Sequence, residues 1–288
     1  MRRRSGAWRK RAAARPTLSR HGEITNKAGE SVECRISALS RVGGRERNED
    51  ACGYLQEEGI VCCVLADGAG GHGGGDVASR VAVEAVLREF VAKPEASVSA
   101  VSALLRHANE AVLHHQGSDP GLADMRSTLV VLVLDTEAPR AVWGHVGDSR
   151  LYLLRHGATQ FRTRDHSLVQ SMVDGGLISP EEALTHSERN VLIASIGSQE
   201  SFQPSVVERP FAVSEGDAFL LCSDGFWGLQ DEAAIEGALM EAMSPEAWLN
   251  RMEVDISAQI REGSDNFSAI GVWCGDVEST TVQRARGS

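Results

Sequence analysis

Residues 61–75 read VCCVLADGAGGHGGG, an apolar run that ends in an aspartate and passes into a glycine-rich turn. Residues 61–66 have the length and composition of a strand buried on both faces. Asp67 stands where we expect that strand to stop, and six of the next eight residues are glycine, so the backbone there can approach a ligand closely. A helical pattern begins at Asp76. This order is typical of a hard-ion or phosphate site, although a plain glycine-rich turn has the same pattern.

The charge of the chain is unevenly distributed. The formal net charge is −11 at pH 7, yet residues 1–20 hold eight arginines or lysines and no acid. The rest of the chain therefore carries 21 basic against 40 acidic residues. An acidic body of this kind argues against nucleic acid as the main partner and is compatible with cation binding. The basic head lacks the apolar segment of a secretory signal. We expect a disordered extension over residues 1–30, an over-extended start, or an arm that touches an acidic surface.

Length and cysteine spacing are typical of a globular protein from a reducing compartment. The 288 residues suffice for one large domain or two small ones. No apolar run approaches the ~20 residues that cross a bilayer, so no membrane span is expected. The six cysteines have no CxxC spacing and four lie in strand-like runs, which predicts buried reduced thiols. We therefore expect a cytoplasmic protein.

Strand-like and helix-like stretches occupy most of the remaining chain. We expect strands at residues 34–39, 51–55, 61–66, 127–134, 141–146, 150–154, 217–222 and 267–274. We expect helices at about 76–92, 97–116, 231–243 and 245–261. The Gly147-Asp148-Ser149 stretch is typical of a tight turn within a hairpin, and residues 165–200 of a functional surface subdomain. The order of elements predicts an α+β fold with mainly antiparallel sheets covered by helices.

Acidic residues recur where apolar strands begin or end beside glycine or asparagine. They are Asp67, Asp148, Asp224, Asp265 and the pair Glu49-Asp50. One strand-end aspartate is most often a turn former, but so many in one chain suggest a shared site. If the strand ends converge, repulsion raises the pKa values unless cations lie between the carboxylates. Oxygen ligands suit Mg²⁺ or Mn²⁺, and the nine histidines lack the close pairing of a zinc site.

Five short motifs resemble, in order and rough spacing, those of the bacterial metal-dependent serine/threonine protein phosphatases of type 2C. They are Arg45-x-x-Asn48-Glu49-Asp50, Ala66-Asp67-Gly68-x-Gly70-Gly71-His72, Gly147-Asp148-Ser149-Arg150, Cys222-Ser223-Asp224-Gly225 and Asp265-Asn266. The similarity spans about residues 34–275. It implies a four-layer αββα sandwich, with two antiparallel sheets packed face to face and helices on the outside. It also implies a phosphatase domain over residues 31–276, with a flap at about 165–200, followed by a polar tail at 277–288.

The resemblance implies metal-binding and substrate-binding roles for the motif residues. The implied ligands of two metal ions, or of two and a weaker third, are Glu49, Asp50, Asp67, Gly68, Asp148, Asp224 and Asp265. By resemblance, Asp67 bridges two ions, Asp224 and Asp265 hold one of them, and Asp148 helps to bind the third. Arg45 grips the substrate phosphate, which a metal-activated water attacks. Arg45, Asp67 and Asp224 are accordingly the expected catalytic residues.

Two departures from the family pattern affect the expected site. Ala69 stands where bacterial members often have methionine and animal members have a histidine proposed as general acid. No proton donor is therefore assigned, and His72 is a candidate for that role or for simple loop packing. Arg126-Ser127-Thr128 replaces the more usual Gly-Thr-Thr, which alters packing near the expected metal ions.

The implied function is hydrolysis of phosphoserine and phosphothreonine in proteins, which reverses a bacterial serine/threonine kinase in signalling. The expected partners are phosphorylated proteins, namely such a kinase or its targets, and we expect a monomer that binds no nucleic acid. One alternative is a catalytically weak regulatory module in which the flap docks a partner. Another is a cation-binding structural protein, which leaves Arg45 without a role. Every expected metal position keeps its oxygen ligand, so an active enzyme is favoured.

Overall fold

The structure, a computed structural model, describes residues 31–69 and 74–275. The predicted extension at residues 1–30, the candidate proton donor His72 and the predicted tail at 277–288 lie outside the described residues. None of the helices in the described ranges is both long enough and apolar enough to cross a membrane.

Strands of the described chain form two sheets in which every pairing is antiparallel. They are β1 (Cys34–Arg41), β2 (Asp50–Glu57), β3 (Ile60–Ala69), β4 (Arg126–Ser127), β5 (Leu129–Asp135), β6 (Arg140–Val146), β7 (Arg150–Arg155), β8 (Ala158–Arg162), β9 (Ser205–Val206), β10 (Phe211–Ala212), β11 (Asp217–Cys222) and β12 (Phe267–Cys274). The five-stranded sheet has the order β1-β12-β11-β7-β8. The seven-stranded sheet has the order β10-β6-β5-β3-β2, with β4 paired to β3 and β9 to β6.

The described residues form seven α-helices, four of which cover the outer faces of the two sheets. They are α1 (Gly75–Ala92), α2 (Val98–Ser118), α3 (Leu168–Asp174), α4 (Pro180–Thr185), α5 (Asp224–Trp227), α6 (Glu232–Glu241) and α7 (Pro245–Ser257), with a short 3-10 helix at Pro120–Leu122. Several begin at a side chain that accepts a backbone N–H bond, as Ser97 does for α2 and Ser244 for α7. Such caps satisfy donors that the first turn leaves free, which explains where these helices start.

The layering follows from strands that are apolar on both faces. In β3, Cys63 and Leu65 face the other sheet, whereas Cys62 and Val64 face α1 and α2. The outer face of the five-stranded sheet packs against α6 and α7, where Trp248 is fully buried. Successive strand residues point to opposite faces, so each central strand contributes to two cores. The result is the expected αββα sandwich, and the α+β fold prediction is confirmed.

The predicted hairpin around Gly147-Asp148-Ser149 is wrong. Strands β6 and β7 belong to different sheets, so residues 147–149 carry the chain from one sheet to the other. Gly147 has φ +96°, and a Cβ there would lie 2.7 Å from Cγ2 of Thr128. A glycine between two apolar strands is compatible with a hairpin or with such a crossing, and only the sheet assignment separates the two.

Strand β3 also runs further than expected, because it does not stop at Asp67. Gly68 and Ala69 continue the strand by pairing with Ser127 and Arg126 of β4. Strand β8 was not among the expected strands, because its sequence ATQFR has no apolar run, and four of its five residues are exposed. Asp67 therefore lies inside a paired strand, which fixes its backbone more firmly than a loop would.

Residues 165–200 contain α3, α4 and a long irregular stretch. The two ends of this segment meet through an isolated bridge between Ser167 and Leu192. The amide of His166 donates to the carbonyl of Gly147 over 2.9 Å, which attaches the segment to the inter-sheet crossing. The segment, called the flap below, is thereby held beside Asp148.

Candidate active site

The ends of strands from both sheets surround one open cleft with a cavity of about 240 Å³. Its lining residues are Arg45, Glu49, Asp67, Gly68, Ala69, Thr128, Asp148, Asn190, Leu192, Asp224 and Asp265. Every predicted site residue except Asp50 is among them. Asp50 is the cross-strand partner of Asp67 in the β2–β3 pairing, so the two side chains lie on the same face of the sheet. The structure thus brings together residues that are more than 200 positions apart in the chain.

Asp67 is fixed through its backbone by Ser127 and Thr128. Its amide donates to Oγ1 of Thr128 over 3.0 Å, and its carbonyl accepts from Oγ of Ser127 over 2.8 Å. The Thr128 amide also donates to that carbonyl over 2.8 Å. Although Arg126-Ser127-Thr128 differs from the expected Gly-Thr-Thr, its Ser127 and Thr128 hydroxyl groups both hydrogen-bond to the Asp67 backbone.

Close backbone packing explains why glycine follows Asp67. The Gly68 amide donates to the carbonyl of Glu49 over 3.1 Å. A Cβ at position 68 would lie 2.1 Å from the carbonyl oxygen of Gly75 and 2.8 Å from that of Glu49. Only glycine allows this approach, which brings the start of α1, the end of β3 and Glu49 to one edge of the cleft.

The five-stranded sheet supplies Asp224 and Asp265. Asp224 is the first residue of α5, just after β11, and Asp265 precedes β12, which is the neighbour of β11. A Cβ at Gly225 would lie 2.1 Å from the carbonyl oxygen of Asn266, so the two segments touch through their backbones. Asp265 also accepts a 3.1 Å bond from Nη2 of Arg45, which is exposed at the cleft mouth.

Buried Asn266 fastens the Arg45 loop to the five-stranded sheet. Its Oδ1 accepts from the Glu49 amide over 2.8 Å, and its Nδ2 donates to the carbonyls of Val42 (2.7 Å) and Arg47 (2.9 Å). Three of the four hydrogen bonds that an asparagine amide group can make are thus used on one loop. The sequence pattern includes Asn266 in a motif but does not indicate this role.

Trp227 supports Asp148 and was not found by sequence reasoning. Its Nε1–H donates to the carbonyl of Asp148 over 2.9 Å, and its ring lies 3.5 Å below the guanidinium carbon of Arg150. Arg150 makes two bonds to the flap residue Asp165, at 2.9 and 2.8 Å. This chain of contacts connects the inter-sheet crossing to the flap. The only sequence signal is a tryptophan close after a motif aspartate, because a buried indole N–H needs an acceptor.

The clustered carboxyl groups have raised pKa values. Burial, followed by the charges of Asp50, Asp224 and Asp148, raises the pKa of Asp67 well above its ordinary value. Burial raises the pKa of Asp50 to about 7 although serine hydroxyls donate to it, including Ser223 over 2.9 Å. Burial and then the charge of Asp224 raise the pKa of Asp148. These groups repel one another in their ionised forms, so a positive charge placed among them would be bound favourably.

The donor set fits hard divalent cations. Oδ1 of Asp50 and Oδ1 of Asp224 are buried and accept no hydrogen bond within the protein. Asp67 and Asp224 lie within hydrogen-bonding reach of each other, which two carboxylates tolerate only with a shared proton or a cation. In residues 31–69 and 74–275, no three His, Cys, Asp or Glu side chains lie close enough together to hold a metal ion on their own. An open, all-oxygen cleft suits Mg²⁺ or Mn²⁺, which retain several water ligands.

Comparison with known proteins identifies the family. Residues 40–255 match the family model described as protein phosphatase 2C. The chain belongs to the protein phosphatase 2C family. Protein phosphatase PhpP of Streptococcus pneumoniae is 35% identical over 196 residues, which cover 66% of this chain and 78% of that protein. The resemblance inferred from the five motifs is confirmed, as is the expected enzyme class, a protein phosphatase.

Solved phosphatase structures have the same fold. PppA, described as a key regulatory component of the T6SS in Pseudomonas aeruginosa, is 32% identical with a TM-score of 0.69, over 85% of this chain and 100% of that one. The catalytic domain of the serine/threonine protein phosphatase PstP in complex with two manganese ions is 29% identical with a TM-score of 0.71, over 85% of this chain and 99% of that one. These similarities favour the phosphatase over the weak binding module.

One residue of the cleft wall in this 2C-family phosphatase, Ala69, has a side chain without acid or base groups. Ala69 is exposed to the cleft and pairs with Arg126 across β3 and β4. A methyl group can neither donate nor accept a proton, so position 69 supplies no general acid.

Proposed function

We propose that this protein hydrolyses phosphoserine and phosphothreonine esters of proteins with two divalent cations, Mg²⁺ or Mn²⁺, held in the cleft. The observation that carries the proposal is the convergence of Asp67, Asp148, Asp224 and Asp265 from both sheets beside Arg45. Uncatalysed hydrolysis of phosphate monoesters is among the slowest biological reactions, so a strongly charged and preorganised site is needed.

The proposed ligand roles are those that the family resemblance implies for the residues of the cleft. Asp67, whose pKa is raised by burial and by the charges of Asp50, Asp224 and Asp148, would bind both cations, and Glu49, Asp50 and the Gly68 carbonyl would serve one of them. Asp224 and Asp265, on the five-stranded sheet, are suited to hold the second. Asp148, on the inter-sheet crossing, is suited to a weaker third. When bound, such cations neutralise phosphate charge and lower the pKa of coordinated water towards neutrality.

Arg45 is suited to hold the phosphate group. Its guanidinium lies at the cleft mouth, oriented by the 3.1 Å bond to Asp265. Gly43 and Gly44 let this loop pack against residues 261–265. A Cβ at Gly43 would lie 2.0 Å from the carbonyl oxygen of Asp265, and a Cβ at Gly44 would lie 1.9 Å from that of Arg261. A planar, permanently charged fork matches two oxygens of a phosphate dianion. The tight loop therefore fixes where the phosphate binds.

The physiological role that we propose is reversal of a serine/threonine kinase, with that kinase or its targets as substrates. The six cysteines of this chain are all free thiols, which suits a cytoplasmic enzyme. We propose that the enzyme acts there as a monomer, since the cleft is built from one chain. The flap, at about residues 165–200, is the proposed substrate-facing subdomain.

The function is tested by turnover of p-nitrophenyl phosphate with Mn²⁺, with EDTA, and in the Asp67→Asn variant. We expect turnover to require added metal and to fall at least roughly a hundredfold in the variant, because a bridging ligand is removed. Asp124→Asn is the matched control, because Asp124 is exposed and does not line the cleft. Full turnover of the wild-type enzyme in EDTA would contradict the proposed mechanism.

A further inference from the structure

A second and larger cavity adjoins the catalytic cleft. It has a volume of about 460 Å³, within the range of pockets that bind small molecules or side chains. Four residues line both spaces: Asp148, Asn190, Asp224 and Asp265. The two cavities therefore adjoin one another, and a substrate whose phosphate lies in the cleft has the larger space beside it.

Apolar side chains of the flap and α5 supply a large part of the wall of this second cavity, whereas Asp148, Asp224 and Asp265 line it where it meets the cleft. The flap contributes Val169 and Val173 of α3 together with Ala183 and Leu184 of α4. Trp227 of α5 forms part of the opposite wall. Leu184 is 57% exposed although it is a large apolar residue, so its side chain has no full cover within the described chain. An apolar concave surface beside a charged site is typical of a recognition pocket.

The cavity is already formed in the free protein. Helix α3 begins at Ser167, whose hydroxyl accepts from the Gln170 amide, and α4 begins with a reciprocal capping box between Ser179 and Glu182. On the opposite side, Trp227 is anchored to the carbonyl of Asp148. Walls fixed in this way lose little entropy when a ligand binds.

The arginines that line the cavity already have partners. Arg150 is paired with Asp165 at 2.8 Å, and Arg162 with Glu232 at 3.3 Å. Arg189 donates to the carbonyl of Leu184 over 3.3 Å. The charges of Arg150 and Arg162 are therefore paired within the protein, which leaves the apolar side chains of the flap and Trp227 to contact a bound side chain.

We propose that this cavity binds an apolar side chain of the protein substrate, one or two residues from the phosphorylated serine or threonine. This inference rests on the proposed function. Successive Cα atoms are about 3.8 Å apart, so a flanking residue reaches across the shared wall while the phosphate stays in the cleft. A leucine or phenylalanine side chain fits the volume and would cover Leu184. The enzyme then selects substrates by the residue that flanks the phosphate.

The test compares synthetic phosphopeptides that carry leucine or alanine at each of the two positions on either side of one phosphothreonine. We expect the wild-type enzyme to have roughly tenfold higher kcat/KM for at least one leucine peptide, as is typical when an apolar side chain enters a preformed pocket. Leu184→Ser and Ala183→Phe, which remove apolar surface and fill the cavity respectively, should each reduce this preference. Turnover of p-nitrophenyl phosphate, which has no flanking residue, should be unchanged.

Leu177→Ser is the matched control, because Leu177 belongs to the same flap and is 74% exposed but does not line the cavity. It should keep the full preference. Equal kcat/KM for all peptides, or a preference that persists in both cavity variants, would overturn the inference while leaving the phosphatase function intact. Absence of metal-dependent phosphate release from every peptide and from p-nitrophenyl phosphate would overturn the function itself, and the inference with it.

Discussion

Replacing Asn266 by alanine should weaken both the fold and the metal response of the enzyme. The change removes three hydrogen bonds, to the Glu49 amide and to the carbonyls of Val42 and Arg47. At about 1 kcal/mol net for each bond, the free energy of unfolding should fall by about 3 kcal/mol. The released Glu49 should also bind metal less well. Loss of an outer contact to a metal ligand typically costs roughly 10- to 100-fold in affinity or activity.

Asn109→Ala separates the two effects. Asn109 is a buried asparagine of α2 that accepts from the Gly197 amide over 2.7 Å and donates to the carbonyl of Ser198 over 3.3 Å, away from the cleft. Its loss should cost about 2 kcal/mol of unfolding free energy. Urea unfolding gives the stability, and p-nitrophenyl phosphate turnover against Mn²⁺ concentration gives the metal response. A rise in the Mn²⁺ requirement is expected only for Asn266→Ala. An unchanged requirement in both variants would refute the role assigned to Asn266.

Three further outcomes are expected. Arg45→Lys should raise KM for p-nitrophenyl phosphate roughly tenfold with a smaller effect on the Mn²⁺ requirement, because lysine cannot form the planar two-bond grip; an unchanged KM would contradict phosphate binding by Arg45. In EDTA, the free energy of unfolding should fall as pH rises from about 4 to about 8. Burial raises the pKa of Asp50 from 3.8 to about 7, so the native state binds this proton more tightly than the unfolded state and is stabilised by it until the pH exceeds about 7. Saturating Mn²⁺ should flatten this dependence in urea unfolding at each pH, and a flat profile in EDTA would contradict the raised pKa of the buried Asp50 carboxyl. Trp227→Phe removes the 2.9 Å bond to the Asp148 carbonyl but keeps an aromatic ring; turnover should need a higher Mn²⁺ concentration to saturate, because Asp148 is held less firmly, and an unaltered Mn²⁺ titration would contradict a supporting role for Trp227.

The buried strands could be predicted from the sequence because glycine, aspartate or asparagine residues flank each apolar run. The expected strands at residues 217–222 and 267–274 agree with β11 and β12. Both are buried at every residue, since they lie between two cores, and a motif aspartate stands close to one end of each. The crossing at residues 147–149 was mistaken for a hairpin because local sequence does not say in which sheet the next strand pairs.

The carboxylates could be predicted as a set, but the contacts that hold them could not. Acidic residues at strand ends are unusual enough to be noticed from sequence alone. Asn266 and Glu49, by contrast, are 217 positions apart, and nothing in the local pattern of either residue indicates the other. The role of Trp227 is equally hard to predict, because its bond to Asp148 spans 79 positions. Such support depends on the packing of both sheets, which only the folded structure gives.

The most direct test is anomalous diffraction at the manganese edge from crystals grown with Mn²⁺. It shows whether Mn²⁺ ions bind between the carboxylates that the two sheets contribute to the cleft. Two strong peaks are predicted within coordination distance of Asp67, one of them also touching Asp224 and Asp265, and both should vanish in crystals of Asp67→Asn. Crystals that show manganese elsewhere on the surface but none between these side chains would contradict the account.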